Sequence, residues 1–350
     1  MKKKIVLTGG GTAGHITPHL ALLPHLKKDY DCFYIGSKDG MEKQMISPLM
    51  PYYEIETTKL RRSLSLKNLL IPFKLLKGVC EAKKILKKIK PDVIFSKGGF
   101  VAVPVVIAGK QLKIPVITHE SDYTLGLANK LIYKKCKYIC TSFDVTAKNL
   151  KNGIYTGSPV RSEILNGNKQ NIYKNYAFDS SKKNLLIIGG SLGSQKINQA
   201  VFDSIHDLIA KFNILHIVGK GNKNNQINKK GYEQVEFLQN VGDAFDFADV
   251  VVTRGGANVL FELLALKKPM LIIPLGKQES RGDQIVNANY FLNHGFANVL
   301  MEEDLTPKTL LEQINATLNQ ANDLRKNMQN GFVDGTRTIV KLINKTVKES

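Results

Sequence analysis

The stretch KIVLTGGGTAGHITPHLAL, Lys4 to Leu22, decides how this chain is read. An apolar run, Ile5 to Thr8, leads straight into three glycines, and a helical pattern follows. Strand, glycine turn and helix open a Rossmann-like unit, because glycine lets backbone N–H groups approach phosphate where a helix begins. Gly9-x-Gly11-x-x-Gly14 satisfies the dinucleotide spelling, and Gly9-x-x-x-x-Gly14 begins a P-loop. Neither spelling is completed. A nicotinamide enzyme needs an acid at the end of the second strand to hold the ribose diol. Here Cys32–Ile35 runs into Gly36-Ser37-Lys38, with Asp39 the nearest acid. A P-loop needs lysine and a hydroxyl residue, and this chain has His15-Ile16. A sugar-nucleotide enzyme remains, with a titratable residue at the first loop and nucleotide-binding groups in a second half.

The pattern restarts at NLLIIGGSLGSQ, Asn184 to Gln195, again a buried strand, a glycine turn and a helix. Strand-like runs recur at Ile5–Thr8, Cys32–Ile35, Val93–Ser96, Val116–Thr118 and Tyr138–Thr141. They continue at Leu185–Ile188, Leu215–Val218, Val250–Thr253 and Met270–Ile273. Continuous apolar strands separated by helices imply parallel sheets covered on both faces. The expected class is α/β, with two Rossmann-like domains facing a central cleft that takes the ligand beyond the carboxyl ends of both sheets. The boundaries read as 1–162 and 163–335, with 336–350 a final helix returning to the first domain. Asn166–Asn184, polar and turn-rich, reads as the linker.

The chain has 350 residues, 43% hydrophobic and 23% charged, enough for two globular domains with sizeable cores. Four cysteines make no disulfide framework, and Cys136-x-x-x-Cys140, lacking a second ligand pair, reads as buried free thiols. Met1-Lys2-Lys3-Lys4 lacks a following apolar region of signal-peptide length, so the chain is expected in the cytoplasm. Fifty Lys and Arg against 30 acids give +20, concentrated in KLRRSLSLKNLLIPFKLLKGVCEAKKILKKIK, Lys59 to Lys90. Leu66, Leu69, Leu70, Phe73, Leu76 and Val79 recur there at helical spacing. Either this is a solvated helix whose stripe packs on the core, or it docks on an anionic membrane surface. Nucleic acid is not the expected partner, since single-strand binders interleave aromatics and only Phe73 is present.

The second half supplies nucleotide-binding groups. Gly189-Gly190-Ser191 opens a helix whose N-terminus suits a diphosphate. TRGGANVLFELLALKKP, Thr253 to Pro269, carries one acid, Glu262, able to accept two hydrogen bonds from a ribose diol. Asp283 and Gln284 suit sugar hydroxyls, and Arg161 in TGSPVRSE suits a leaving phosphate.

GGGTAGHITPHLAL, FSKGGFVAVPVVIA, HESDYTLGLANK, GSPVR, IIGGSLGSQ, RGGANVLFE and SRGDQIVNAN occur in this order along nearly the whole chain. Together they resemble the MurG family of peptidoglycan glycosyltransferases, in its Gram-positive form. The resemblance implies a GT-B fold and inverting transfer of N-acetylglucosamine from UDP-N-acetylglucosamine to lipid I, giving lipid II. It further implies no cofactor or bound metal, a peripheral place on the cytoplasmic face of the cell membrane, and service to cell-wall growth, shape and division. Carried over by position, Thr12, Ala13 and Gly14 would face the donor sugar, with Asp122 near it. Arg161 and Ser191 would hold the diphosphate and the Leu238 backbone the uracil. Ala257, Asn258 and Glu262 would hold the nucleoside, and Gln284, beside Asp283, the sugar. Two positions depart from the family pattern: Ala13 replaces a glycine, and Asp122 a common asparagine.

An inverting transfer needs a base for the attacking hydroxyl and stabilisation of the departing diphosphate. His15 suits the base, since an imidazole titrates near pH 6.5 and a helix start disfavours its cation. Glu120 or Asp122 is the alternative. Lys97, Gly98 and Gly99, with Gly10 and Gly11 of the first loop, read as an anion site for the acceptor's diphosphate. The rivals are a UDP-sugar epimerase, a diacylglycerol glucosyltransferase, or a non-catalytic membrane-associated nucleotide-sugar sensor.

Overall fold

In the computed structural model the described residues are 2–58, 71–190, 193–276 and 281–349. They form two units, Met1–Arg161 with Val333–Ser350, and Ser162–Phe332. The first unit is built on a seven-stranded sheet of order β3-β2-β1-β4-β5-β6-β7. Its strands are β1 Lys3–Thr8, β2 Tyr30–Ser37, β3 Tyr52–Ile55, β4 Val93–Ser96, β5 Val116–Glu120, β6 Tyr138–Thr141 and β7 Gly153–Tyr155. The second has a six-stranded sheet of order β10-β9-β8-β11-β12-β13. Here β8 is Lys183–Ile188, β9 Phe212–Ile217, β10 Tyr232–Val235, β11 Val250–Thr253, β12 Met270–Ile272 and β13 Asn298–Val299. Every pairing in both sheets is parallel.

Side chains alternate across a strand, so β1 feeds two cores. Ile5 and Leu7 pack with Leu22 and Leu26 of helix Thr17–Asp29. Val6 faces the opposite layer, with Val79, Leu86, Val103 and Val105. The second unit repeats the scheme, with Leu185 and Ile187 of β8 against Ile197, Val201 and Leu208.

Nine strands fall on the apolar runs read from the sequence, and the four that do not are β3, β7, β10 and β13, the sheet edges. An edge strand is paired on one side only and needs no continuous apolar run. YYEI, GIY, YEQV and NV carry none. The stretch read as a linker is corrected as well. It holds helix Lys169–Asn175, tied to the second unit by Asn168 N–H and Asn171 Nδ2 donating to Asp243 at 2.7 and 2.9 Å.

Helix Gly335–Lys348 is capped by Asp334, whose carboxylate accepts from Thr336 and Arg337 N–H. Its Ile339 and Ile343 join the first unit's core, and its Asn344 accepts from Tyr30 Oη at 2.7 Å. In the basic segment, residues 59–70 lie outside the described residues, and Leu66, Leu69 and Leu70 with them. Helix Ile71–Ile89 buries Val79, Ala82, Leu86 and Ile89. Phe73 and Leu76 are 70% and 62% exposed, so those two do not pack on the core. No helix among the described residues is long and apolar enough to cross a membrane.

Candidate active site

In each sheet the strand order reverses beside its first strand, between β1 and β4 and between β8 and β11. Such a switch point opens a crevice at the carboxyl ends of the strands, where open α/β sheets bind ligands. All four glycine turns singled out in the sequence follow these strands.

In the first unit the loops after β1 and β4 are in contact. A Cβ on Gly99 would lie 2.3 Å from Gly10 O, and one on Gly11 would lie 2.5 Å from the Phe100 ring. Gly11, Gly98 and Gly99 have φ of 90°, 78° and 75°, a region that side chains disfavour. The first loop enters a 3₁₀ turn, Ala13–His15, with Thr12 Oγ1 2.9 Å from His15 Nδ1. When Nδ1 carries the hydrogen and Thr12 Oγ1 accepts it, the basic lone pair is on Nε2.

Lys97 continues the sheet, donating its N–H to Thr8 O at 2.8 Å. This aims its side chain inward, where it is 2% exposed and Nζ donates to Ser121 Oγ at 2.6 Å. The sequence reading set Lys97 close to an anion site formed by the two glycine turns; the structure shows its side chain buried. Burial lowers its pKa to about 8, against the opposing pull of Glu120 and Asp122. His19 is fully buried, with Nε2 3.1 Å from Thr8 O, and burial followed by the Lys97 charge lowers its pKa to about 3. Under the loop, burial keeps the His19 imidazole neutral and works against the Lys97 charge.

Glu120, at the end of β5, is held by three donors. Asp122 N–H reaches Oε1 at 3.2 Å, while Gly126 N–H and Asn129 Nδ2 reach Oε2 at 2.8 and 2.9 Å. Through these bonds Glu120 braces residues 120–129. Asp122 is half-buried just beyond it. Arg161 is the last residue of the first unit's main segment.

In the second unit a cavity of about 400 Å³ lies at the switch point. Its walls include Gly189, Gly190 and Ser194 after β8, Arg254 and Gly256 after β11, and Leu275 and Gln284. Gln284 Oε1 accepts from Gly255 and Leu275 N–H at 3.2 and 3.0 Å, fixing two loops. Ala257 starts helix Ala257–Ala265, which also carries Asn258 and Glu262; Gly256 and Val259 reach the cavity wall from this segment. Leu238 follows β10, and Asp283 begins helix Asp283–Asn293, 3.1 Å from Arg281 Nη2. Ser191 lies outside the described residues.

Beneath the cavity is a charged cluster the sequence reading missed. Arg254 is 8% exposed; its Nη2 donates to Ser194 Oγ at 2.6 Å and lies 2.5 Å from Glu302 Oε1. Glu302 Oε2 takes Lys196 Nζ at 2.9 Å and Gly276 N–H at 3.2 Å. One buried carboxylate thus ties together segments after β8, β11 and β12. Burial works against its charge, but Lys196 and Arg254 hold its pKa below the usual carboxylate value. No local motif marked Glu302, since it joins the cluster only through the fold.

Models of the glycosyltransferase family 28 N-terminal and C-terminal domains match residues 5–141 and 184–343. A protein of Clostridium botulinum strain Alaska E43 is 50% identical over 99% of this chain and 99% of its own length. One from Clostridium tetani is 49% identical over 99% and 98%. Both bear the name UDP-N-acetylglucosamine--N-acetylmuramyl-(pentapeptide) pyrophosphoryl-undecaprenol N-acetylglucosamine transferase. The chain belongs to glycosyltransferase family 28.

Solved structures agree on the fold. Acinetobacter baumannii MurG superposes with a TM-score of 0.75 at 24% identity, covering 98% of this chain and 99% of that one. The calicheamicin glycosyltransferase CalG4 gives 0.72 at 10% identity, with 100% and 99% covered. A putative UDP-N-acetylglucosamine 2-epimerase of Listeria monocytogenes gives 0.69 at 13%, with 100% and 98% covered. The fold is GT-B, with two parallel-sheet domains of Rossmann type. Because an epimerase shares it, the fold does not choose among activities; membership of family 28 and the 50% relatives do.

Proposed function

We propose that this family 28 enzyme transfers N-acetylglucosamine from UDP-N-acetylglucosamine to the muramyl 4-hydroxyl of lipid I, forming lipid II with inversion. The observation that carries the activity is the 50% identity, across both units, to enzymes named for that transfer. Labelled donor and a lipid I analogue are expected to yield a labelled disaccharide-lipid. Epimerised sugar, or nucleotide binding without transfer, would contradict the reading.

The donor lies in the second unit's cavity. Its diphosphate meets the backbone after β8, with Ser191 and Arg161 contributing, and the Leu238 backbone takes the uracil. Ala257, Asn258 and Glu262 take the nucleoside, with Glu262 on the ribose diol. The Gln284 amide NH₂ and Asp283 meet the sugar, as do Thr12, Ala13 and Gly14 of the first loop. Fixed dipoles and charges around a departing diphosphate are worth several kcal/mol, so electrostatics supplies the leaving-group stabilisation.

The first unit presents the acceptor. Its diphosphate lies over Gly10, Gly11, Gly98 and Gly99, with the Lys97 charge acting from below. His15 Nε2 removes the hydroxyl proton while Thr12 holds Nδ1, and Asp122 orients the sugar. His15→Ala is expected to lose 10²–10⁴-fold in kcat; retention of more than a tenth of turnover would reject this base.

The enzyme docks peripherally on the cytoplasmic membrane face through the basic segment. Exposed Phe73 and Leu76 on a lysine-rich helix support this, since apolar anchoring plus anionic-lipid attraction is how such helices bind.

A further inference from the structure

Glu42 follows the end of β2 and turns back onto the first glycine loop. It lies in the short helix Met41–Ile46, and it is fully buried. Its Oε1 accepts from Ser37 N–H at 3.2 Å and from the Ser37 hydroxyl. Its Oε2 accepts from Gly11 N–H at 3.3 Å. A Cβ on Gly10 would lie 2.5 Å from the Glu42 carboxyl carbon, so the loop rests directly on this carboxylate. Tyr34 supports the same loop, donating to Gly9 O at 2.7 Å.

A buried carboxylate held by neutral donors is costly, and apolar packing would be cheaper. What this carboxyl group does here is occupy a loop amide that, in a nucleotide-binding Rossmann unit, is available to phosphate. The loop is therefore shaped from within, by a side chain of the protein itself, before any ligand arrives. The next residues are Thr12 and the turn that carries His15.

We infer that Glu42 is a positioning residue of the transferase reaction: it fixes the Gly10–Gly11 backbone so that the Thr12–His15 pair is presented to the acceptor hydroxyl. This rests on the reading of His15 as base. Glu42 touches no substrate and acts through the loop.

The test is a cycle of Glu42→Ala, His15→Ala and the double variant in the full-length enzyme, with kcat and both KM values measured against lipid I analogue and UDP-N-acetylglucosamine. Glu42→Ala is expected to lower kcat at least tenfold, and the double variant to be no slower than His15→Ala, since a base supplies about 10²–10⁴-fold. Glu42→Gln, which keeps one carbonyl oxygen for Gly11 N–H, is expected between wild type and Glu42→Ala; it replaces the alanine variant in the cycle if that variant does not fold. A purely structural role would lower melting temperature and leave kcat per folded enzyme unchanged. That result, or costs that multiply in the double variant, overturns the inference alone. A His15→Ala enzyme retaining over a tenth of turnover removes the base reading itself, and with it the purpose assigned to Glu42.

Discussion

Single residues carry most of the chemistry, and here sequence was a partial guide. His15 and Gln284 were singled out because each lies just after glycine, at the start of a helical turn. Glu42, Arg254, Lys196 and Glu302 did not, because their partners are distant in sequence: Glu302 meets Arg254 and Lys196 only where segments after three strands converge. Lys97 was singled out beside the glycine turn, while its burial was not read from the sequence. Its pKa of about 8 lies below the unfolded value, so the folded chain carries fewer protons between those limits. Stability linked to Lys97 therefore rises with pH above about 8, and its charge costs roughly 3 kcal/mol below it. Lys97→Met is expected to raise the melting temperature at pH 7, and less so at pH 10, while increasing the acceptor KM and sparing that of the donor. Unchanged acceptor KM would leave the buried cation without a function. Glu302→Ala, which strips the buried Arg254 of its counter-charge, is expected to cost about 3–5 kcal/mol of unfolding free energy. Chemical denaturation measures this, and a loss below about 1 kcal/mol would show the cluster to be dispensable.

At the scale of elements, continuous apolar strands were readable because they are buried on both faces, as Ile5, Val6 and Leu7 show. The edges β3, β7, β10 and β13 were not, since pairing on one side places no such demand on their residues. Helix Ile71–Ile89 was legible as amphipathic, but which apolar residues were spare was not. The core takes Val79, Ala82 and Leu86, leaving Phe73 and Leu76 outward. Burying such side chains is worth about 1.5–3 kcal/mol each, so Phe73→Ser with Leu76→Ser is expected to weaken binding to anionic vesicles tenfold or more. Turnover on a water-soluble acceptor analogue should be unaffected. Binding should also fall with salt; co-sedimentation indifferent to the variant, to lipid charge and to salt would reject membrane docking by this helix.

For the whole molecule, the decisive signal was a restart: the strand-glycine-helix opening at Lys4 recurs at Asn184, and each opens a parallel sheet. Both sheets have a switch point, and that of the second unit holds a cavity lined by backbone glycines, with Arg254 and Lys196 at its wall. In the first, Glu42 already takes the Gly11 amide. The proposed division of labour, nucleotide in the second unit and acceptor in the first, rests on that contrast. The most direct test is a crystal structure of the enzyme with UDP bound. The nucleotide is expected against Gly189–Gly190, Ser194 and Arg254, with its ribose toward helix Ala257–Ala265; UDP lodged on Gly9–Gly11 and Gly98–Gly99, with that cavity empty, would contradict the division of labour.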